Sequence, residues 1–330
     1  MAFYSYVFTA NYRRFFRKLR KVAKEEHRFY PGLILDTAYC VFRYGLALTD
    51  YLNFKIYNRT ADERKEYVGA RMENTFYACV SPAKYKKRYT IKPDFLEDFK
   101  KYTKREFVMP EEGKFADFSA FLDRHDMFIA KPYDGIGGKD VAKVCTAEIH
   151  DREAYFRECL ANRLFLEELV VQHPQLDVLC PKSVNTLRIM TFNDHGKPEI
   201  LWMGLRVGNG VNDIDNFHAK GMILKVDWET GRVIGKGTDK DNVEYEKHPT
   251  TGVTFDGFQI PCFQEAKEMV LQASLESDKI LVVGWDVAIS ENGPVVIEGN
   301  RRPGFDIVQV VDDRGRMDMV RDCMARSGRQ

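Results

Sequence analysis

The segment VGWDVAISENGPVVIEGNRRPGFD, residues 283–306, constrains the fold more than any other stretch. It predicts two strands, 280–289 and 294–298, joined by a tight turn at Glu291, Asn292 and Gly293. Asn-Gly supplies the positive φ values that a hairpin turn needs. Three oxygen-bearing side chains ride on this hairpin. Glu298 and Asn300 lie two apart, so they share one side of an extended chain. Asp286 stands on the partner strand, where it can fall opposite them. Two carboxylates and an amide oxygen suit Mg²⁺, a hard cation that shares its shell with waters and substrate phosphates. A plain surface hairpin is the alternative, and Val295, Val296 and Ile297 weigh against it because an apolar run leads directly into Glu298.

The 330 residues suffice for two or three lobes around a sizeable core. An apolar share of 44% and a charged share of 30% are those of a soluble globular protein. Lys+Arg is 50 and Asp+Glu is 49, so net charge offers no argument for nucleic acid or another polyanion as partner. The seven cysteines show neither CxxC nor Cys/His metal spacing and read as free thiols in a reducing, cytoplasmic setting. At the N-terminus an aromatic run precedes the basic residues, the reverse of a signal peptide. No run is long enough to span a bilayer, since 32–48 is broken by Asp36 and Arg43. Nothing here indicates an oligomeric state.

Residues 1–75 read as an N-terminal helical region. Its segment 11–28 is a basic helix with Phe15, Phe16, Leu19 and Val22 on one face. Two readings stand: a helix that touches a membrane surface or partner, or a solvated helix packing its stripe on the body. Residues 33–57 then predict one or two apolar helices, with Leu35, Val41, Phe42, Leu46, Leu48, Tyr51, Leu52, Phe54 and Ile56 expected mostly in the core. In the segment 76–127, Lys84, Lys86 and Lys87 are candidate phosphate contacts, and Pro93 opens a helix.

The pattern changes at residue 128. Residues 128–132 predict a strand, 134–139 a flexible glycine loop with Gly135, Gly137 and Gly138, and 141–144 a returning strand. This is strand–loop–strand, unlike GxxxxGK[ST] or GxGxxG, yet its backbone N–H groups can still close over an anion. Lys131 enters the loop beside it. Residues 151–164 predict a helix capped by Asp151, and 164–172 a strand interrupted by Glu167 and Glu168. In the strand 183–192, alternation puts Thr186, Arg188 and Met190 on one face. Arg206 stands near the end of the strand 200–207. An arginine in an apolar strand needs an anion or an ion-pair partner; an oxyanion clamp and a structural salt bridge both satisfy that need. A polar loop at 211–222 holds Asp213, Asp215, Asn216, His218 and Lys220. A hairpin at 223–235 and an amphipathic helix at 262–277 follow.

In this order the motifs FIAKP with its glycine loop, LEELV, VNTLRIMTF, DNF, HPTTG and GWDVAISENGPVVIEGN resemble the ATP-grasp superfamily, and within it the sugar-transfer-associated ATP-grasp proteins, over residues 30–312. The resemblance implies an α+β fold in which two α+β lobes grip ATP: a small lobe at 128–172 with a glycine lid, and a large lobe at 173–330 with the metal site. It implies that Lys131, Gly135, Gly137 and Gly138 meet ATP phosphates, and that Glu167, Glu168 and Val170 line the adenine site. It further implies that Arg188 and Arg206 are the catalytic arginines, that Asn216 meets substrate, and that Asp286, Glu298 and Asn300 hold Mg²⁺ or Mn²⁺. The implied activity is ligation of a carboxylate to an amine through an acyl phosphate, on small-molecule or peptide substrates. A kinase of the same fold and a non-catalytic nucleotide scaffold are the alternatives. Arg301 and Arg302 depart from the small residues usual after Glu-x-Asn and are expected to meet an anionic acceptor.

Overall fold

Two antiparallel sheets organise the chain, and the sequence marks out their strands except the two-residue strands at 107–108 and 244–245. The computed structural model describes residues 11–134, 141–210 and 221–328. Gly135, Gly137, Gly138 and Asn216 lie outside the described residues.

Helices come first: α1 (Tyr12–Glu25), α2 (Tyr30–Tyr44), α3 (Leu48–Asn53), α4 (Ala61–Glu66) and α5 (Ala70–Val80). Asn11 caps α1 by accepting from Arg14 N, and Pro31 sits in the first turn of α2, where its missing N–H costs nothing. Phe15, Leu19, Leu33, Cys40, Leu46, Tyr51 and Phe54 form a local core. Two residues expected in that core are not there: Leu35 is 72% exposed and Phe42 71%. Both lie on the side of α2 opposite Leu33, Thr37, Cys40 and Val41, which already fill its buried face.

Three short helices follow, α6 (Lys87–Thr90), α7 (Lys92–Asp98) and α8 (Lys100–Thr103). The small sheet has the order β1-β4-β2-β3, from β1 (Phe107–Val108), β2 (Met127–Pro132), β3 (Ala142–Cys145) and β4 (Leu164–Glu168). Helices α9 (Phe115–Arg124) and α10 (Arg152–Ala161) pack on it through Phe118, Phe121, Phe156 and Cys159. Asp151 caps α10, accepting from Ala154 N at 2.9 Å. Because β1 and α9 belong to this unit, it takes in residues well before 128. Strand β4 also stops at Glu168 rather than 172. Beyond it the chain crosses to the other sheet, where Gln172 bridges Ser290 and His173 N donates to Ile289 O at 2.8 Å.

After the short α11 (Pro174–Asp177) comes the large sheet, in the order β11-β10-β5-β6-β7-β8-β9. Its strands are β5 (Thr186–Asp194), β6 (Lys197–Val207), β7 (Met222–Val226), β8 (Val233–Asp239), β9 (Glu244–Tyr245), β10 (Val282–Ser290) and β11 (Gly293–Asn300). Helix α12 (Phe263–Leu275) covers one face over Leu187, Ile189, Leu205 and Val287. Part of the other face lies under α5, α13 (Asp306–Asp312) and α14 (Met317–Arg326), against Met190, Trp202 and Ile223. Alternation along β5 decides which residues look which way. The β10–β11 turn differs from expectation in one respect. Gly293 alone takes a positive φ, 96°, and the Ser290 hydroxyl braces the turn by donating to Gly293 O.

Candidate active site

The charged residues of the large sheet form one cross-strand row. Register pairs Glu298 with Asp286, Asp286 with Arg188, and Arg188 with Gly204. Directly opposed residues share a face, so the two carboxylates and Arg188 stand side by side. Arg206, two residues beyond Gly204, joins them on the same face. Arg188 Nε lies 2.8 Å from Asp286 Oδ1, and Arg206 Nη1 donates to Asp286 Oδ2 at 2.8 Å. Asn300 pairs with Gly284 on that face, and its Nδ2 donates to Glu298 Oε1 at 3.1 Å. Sequence spacing thus anticipated a real juxtaposition, and the structure adds that both arginines converge on the same carboxylate.

Desolvation alone would raise the Glu298 pKa. Arg188, the Asn300 amide, Asp286 and Arg206 overcome it and hold the carboxyl at about 2, so Glu298 is an anion at any ordinary pH. Among the described residues no three His, Cys, Asp or Glu side chains cluster as a metal site. The set here is two carboxylates completed by the Asn300 amide, whose oxygen is left as an acceptor. Hard oxygen donors of this kind fit Mg²⁺ or Mn²⁺.

The hairpin is held rigidly from behind. Strand register slips between Asp286 and Val287, where Ile297 forms a bulge immediately before Glu298. Phe95, Phe99, Tyr89 and Trp285 pack as an aromatic cluster, with Phe99 and Trp285 centroids 5.3 Å apart. Such ring pairs each add about 0.5–1.5 kcal/mol beyond area burial. Gly299 is required here, because a Cβ at that position would stand 2.7 Å from Phe95 Cε2.

A second charged cluster lies on the small sheet. Glu167 is paired in register with Ile129, two residues from Lys131 on the same face of β2. The Lys131 ammonium makes a short ion pair with Glu167 Oε1, and both residues are buried. Arg105 Nη2 stands 3.6 Å from Glu167 Oε2. Burial would raise the Glu167 pKa, but the charges of Lys131, Arg105 and Lys92 prevail and lower it. Glu168 faces away and accepts from Glu106 N at 3.0 Å, stitching β4 to β1. Val170 is half-buried just past the end of β4.

Two residues that sequence reasoning missed join these clusters. Arg105 is 6% exposed and donates to Val296 O at 2.9 Å and Ile297 O at 3.2 Å, the carbonyls of the bulge before Glu298. It therefore ties the metal-type hairpin to Glu167. Lys92, first residue of α7, carries a lowered pKa because of burial and the neighbouring Lys131 charge, against pull from Glu298 and Glu167. Its backbone N donates to Tyr133 O at 2.8 Å, at the exit of β2. Lys84, Lys86 and Lys87 are exposed; Lys84 lies over the Tyr85 ring and Lys87 beside Asp94. Of the early lysines, Lys92 is the one in the cleft. The only cue in the sequence is its place directly before Pro93.

Arg301 and Arg302 direct their hydrogen bonds to the end and the middle of α5 rather than to the acidic row. Arg301 donates to Ser81 O at 3.2 Å, just past α5. Arg302 donates to Asn74 Oδ1 at 2.6 Å and stacks over Tyr77. Among the residues named for the cleft, Lys92, Arg105, Lys131, Arg188 and Arg206 outnumber Glu167, Asp286 and Glu298, which leaves two positive charges in excess. That balance suits a polyphosphate accompanied by a divalent cation.

A search of curated proteins finds no sequence match. Among solved structures the chain is similar to the ATP-grasp ligase PsnB complexed with a phosphomimetic variant of minimal precursor, Mg and ADP, at 13% identity over 75% of this chain and 62% of that one, TM-score 0.46. It is similar to the D-cycloserine synthetase DcsG, at 13% identity over 78% and 80% of the two chains, TM-score 0.43. It is also similar to N5-carboxyaminoimidazole synthetase from Staphylococcus aureus, at 12% identity over 73% and 52%, TM-score 0.44. The chain thus spans about three fifths of the PsnB chain. The family model for sugar-transfer associated ATP-grasp proteins matches residues 107–323, which takes in both sheets and every cleft residue except Lys92 and Arg105. With well over half its length matched, the chain belongs to the sugar-transfer-associated ATP-grasp family.

Proposed function

We propose that this chain is an ATP- and Mg²⁺-dependent, ADP-forming ligase that joins a carboxylate to an amine through an acyl phosphate. Glycan, peptide or small-metabolite biosynthesis would be its setting, and a reducing cytoplasm would suit its seven free cysteines. The observation that carries the reading is the row Glu298–Asp286–Arg188 with Arg206, joined through Arg105 to Lys131 and Glu167.

Asp286, Glu298 and Asn300 would hold Mg²⁺, which when bound neutralises charge on the phosphates. Lys131 and Lys92 would hold phosphate oxygens, with Gly135, Gly137 and Gly138 closing over them. Buried Glu167 Oε2 has no hydrogen-bond partner among the described residues, so it suits the amino group of an adenine, with the backbone near Val170 framing the ring; Glu168, turned toward Glu106, takes no part, contrary to expectation. In the first step a substrate carboxylate oxygen bonds to the γ-phosphorus, the bond to the β–γ bridging oxygen breaks, and ADP leaves. In the second, the amine nitrogen bonds to the acyl carbon, the bond to phosphate breaks, and the amine loses a proton. Arg188 and Arg206, which both meet Asp286, would stabilise the transferring phosphoryl group and then the tetrahedral oxyanion. Asn216 and Arg301 would meet the acceptor, while Arg302 anchors the segment to α5.

The test is ADP release from candidate acids with and without amines, followed by mass spectrometry of the product. Amine-dependent amide product is expected. A phosphorylated product formed without amine would make the chain a kinase, and ATP binding with no turnover on any substrate would make it a scaffold.

A further inference from the structure

Helix α2 is apolar on both sides. Its inner face buries Leu33, Thr37, Cys40 and Val41. Its outer face carries Leu35 at 72% exposure, Tyr39 at 53% and Phe42 at 71%, with Phe29 at 76% just before the helix. Pro31, Leu35, Ala38, Tyr39 and Phe42 recur at helical spacing and make one outward stripe. The helix holds only two charges, and neither breaks that stripe. Asp36 is engaged by Arg64 at 2.7 Å and by the Tyr51 hydroxyl at 2.7 Å. Arg43 stands near the C-terminal end over the Tyr44 ring. Isolated exposed apolar residues are ordinary, but a contiguous row of large ones marks an interaction surface.

The neighbouring helix states the chemistry of the partner. Helix α1 holds seven cations against a single acid, whereas the whole chain is only +1. Arg13, Arg17, Arg20 and Lys24 fall at i, i+4, i+7 and i+11 and are all exposed. Arg20 lies 5.4 Å over the ring of Tyr30, the first residue of α2, so the basic face abuts the start of the apolar stripe. The opposite flank of α1 is the one that docks on the body, where Lys18 Nζ meets Asp241 Oδ1 at 2.5 Å. No helix among the described residues is long and apolar enough to cross a membrane.

We propose that the outer faces of α1 and α2 form a peripheral binding surface for bilayers containing anionic lipid. Leu35, Tyr39 and Phe42 enter the boundary between headgroups and acyl chains, and Arg13, Arg17, Arg20 and Lys24 meet lipid phosphates. The stripe from Pro31 to Phe42 is about 17 Å long, the geometry of a helix lying in the interface plane. Charge complementarity is what selects lipid over a second copy of this chain, because two copies would bring two such basic faces together. The proposal does not depend on the ligase reading.

The experiment is co-sedimentation of the full chain with vesicles of phosphatidylcholine alone or mixed with phosphatidylglycerol, beside sedimentation velocity without lipid. The full chain is expected to bind the anionic vesicles at least tenfold more tightly than the neutral ones, less so as salt rises. Leu35→Ser with Phe42→Ser should weaken binding at least tenfold. Arg17→Glu with Arg20→Glu should weaken it about 30-fold or more, each cation being worth roughly a factor of five. Unchanged thermal melting will show that these surface variants fold. Failure of the full chain to bind anionic vesicles overturns the proposal. So does a dimer that the Leu35/Phe42 variant dissociates while vesicle binding is unaffected. Binding that survives both double variants but is lost on removing residues 1–10 assigns the surface elsewhere and also overturns it.

Discussion

The cleft and the N-terminal helices both desolvate carboxylates, and the two regions drive them in opposite directions. In the cleft, Glu298 is held at about 2 and Glu167 is also lowered, because Arg188, Arg206, Lys131 and Arg105 answer the cost of burial. Near α3 and α5 the same cost is answered only in part. Asp50 is pushed up to about 7, chiefly by desolvation and then by Asp306, against the hydrogen bond it accepts from Ala47 N. Glu73 is likewise pushed up to about 7 by desolvation, Asp306 and Asp50, with Arg302 opposing. The lesson is that burial by itself does not decide the charge of a carboxylate; the cations that the fold brings to it do. The cleft keeps permanent anions, as a divalent-cation site requires, while the N-terminal pair takes up protons within the physiological range.

Removing one member of each cluster is the direct way to break this comparison. Glu298→Ala should cut ADP-forming turnover by about 10²–10³-fold with circular dichroism unchanged; near-normal turnover would sink the assignment of the hairpin. Lys131→Met should follow at about 10²-fold in kcat/KM for ATP. Arg105→Met should act on stability more than on chemistry. It leaves two bulge carbonyls without their donor and Glu167 with Lys131 as its remaining close cation, and urea unfolding should show a loss of about 1–3 kcal/mol. An unfolding midpoint equal to that of the parent would remove Arg105 from its tethering role. Lys92→Ala should lower kcat/KM for ATP about tenfold, while Lys84→Ala, Lys86→Ala and Lys87→Ala stay within about twofold. The reverse ranking would return the early lysine to the exposed trio.

The smallest effect concerns the N-terminal carboxylates and sharpens the contrast with the cleft. A carboxyl raised from 3.8 unfolded to about 7 folded favours the folded state fully below the lower value. That contribution is lost as pH rises through about 7. Melting temperature should therefore fall between pH 5.5 and 8. Asp50→Asn, which mimics the protonated acid, should flatten the fall, leaving a remainder from Glu73. A pH dependence unaltered by Asp50→Asn and by Glu73→Gln would show that these groups do not titrate as described.

Much of the cleft was legible because its logic is local. The alternation along β5 places Arg188 opposite Leu187, and the two-residue step from Glu298 to Asn300 places both on one face, whatever surrounds them. Asp151 as a cap and Pro93 as a helix opener are readable for the same reason. Leu35 and Phe42 misled because hydrophobicity reports a preference for burial and not whether a partner is present to provide it. Lys92 carried only its place directly before Pro93, and Arg105 no pattern at all. They stand at a helix start and in the connection before β1, and Arg105 meets its hairpin 191 residues downstream.

Periodicity and turn chemistry, written in neighbouring residues, determined the strands, the hairpin, the face each charged side chain occupies and the family resemblance. The tertiary structure alone decided which charges share a cleft: Arg188 and Arg206 on one Asp286, Arg105 between Ile297 and Glu167, Lys92 beside Lys131. It also decided that one face of α2 stays uncovered by the described residues. The reason is physical. Backbone geometry repeats every two or 3.6 residues and is visible in any short window, whereas Coulomb interactions and desolvation depend on distances in space that no short window contains.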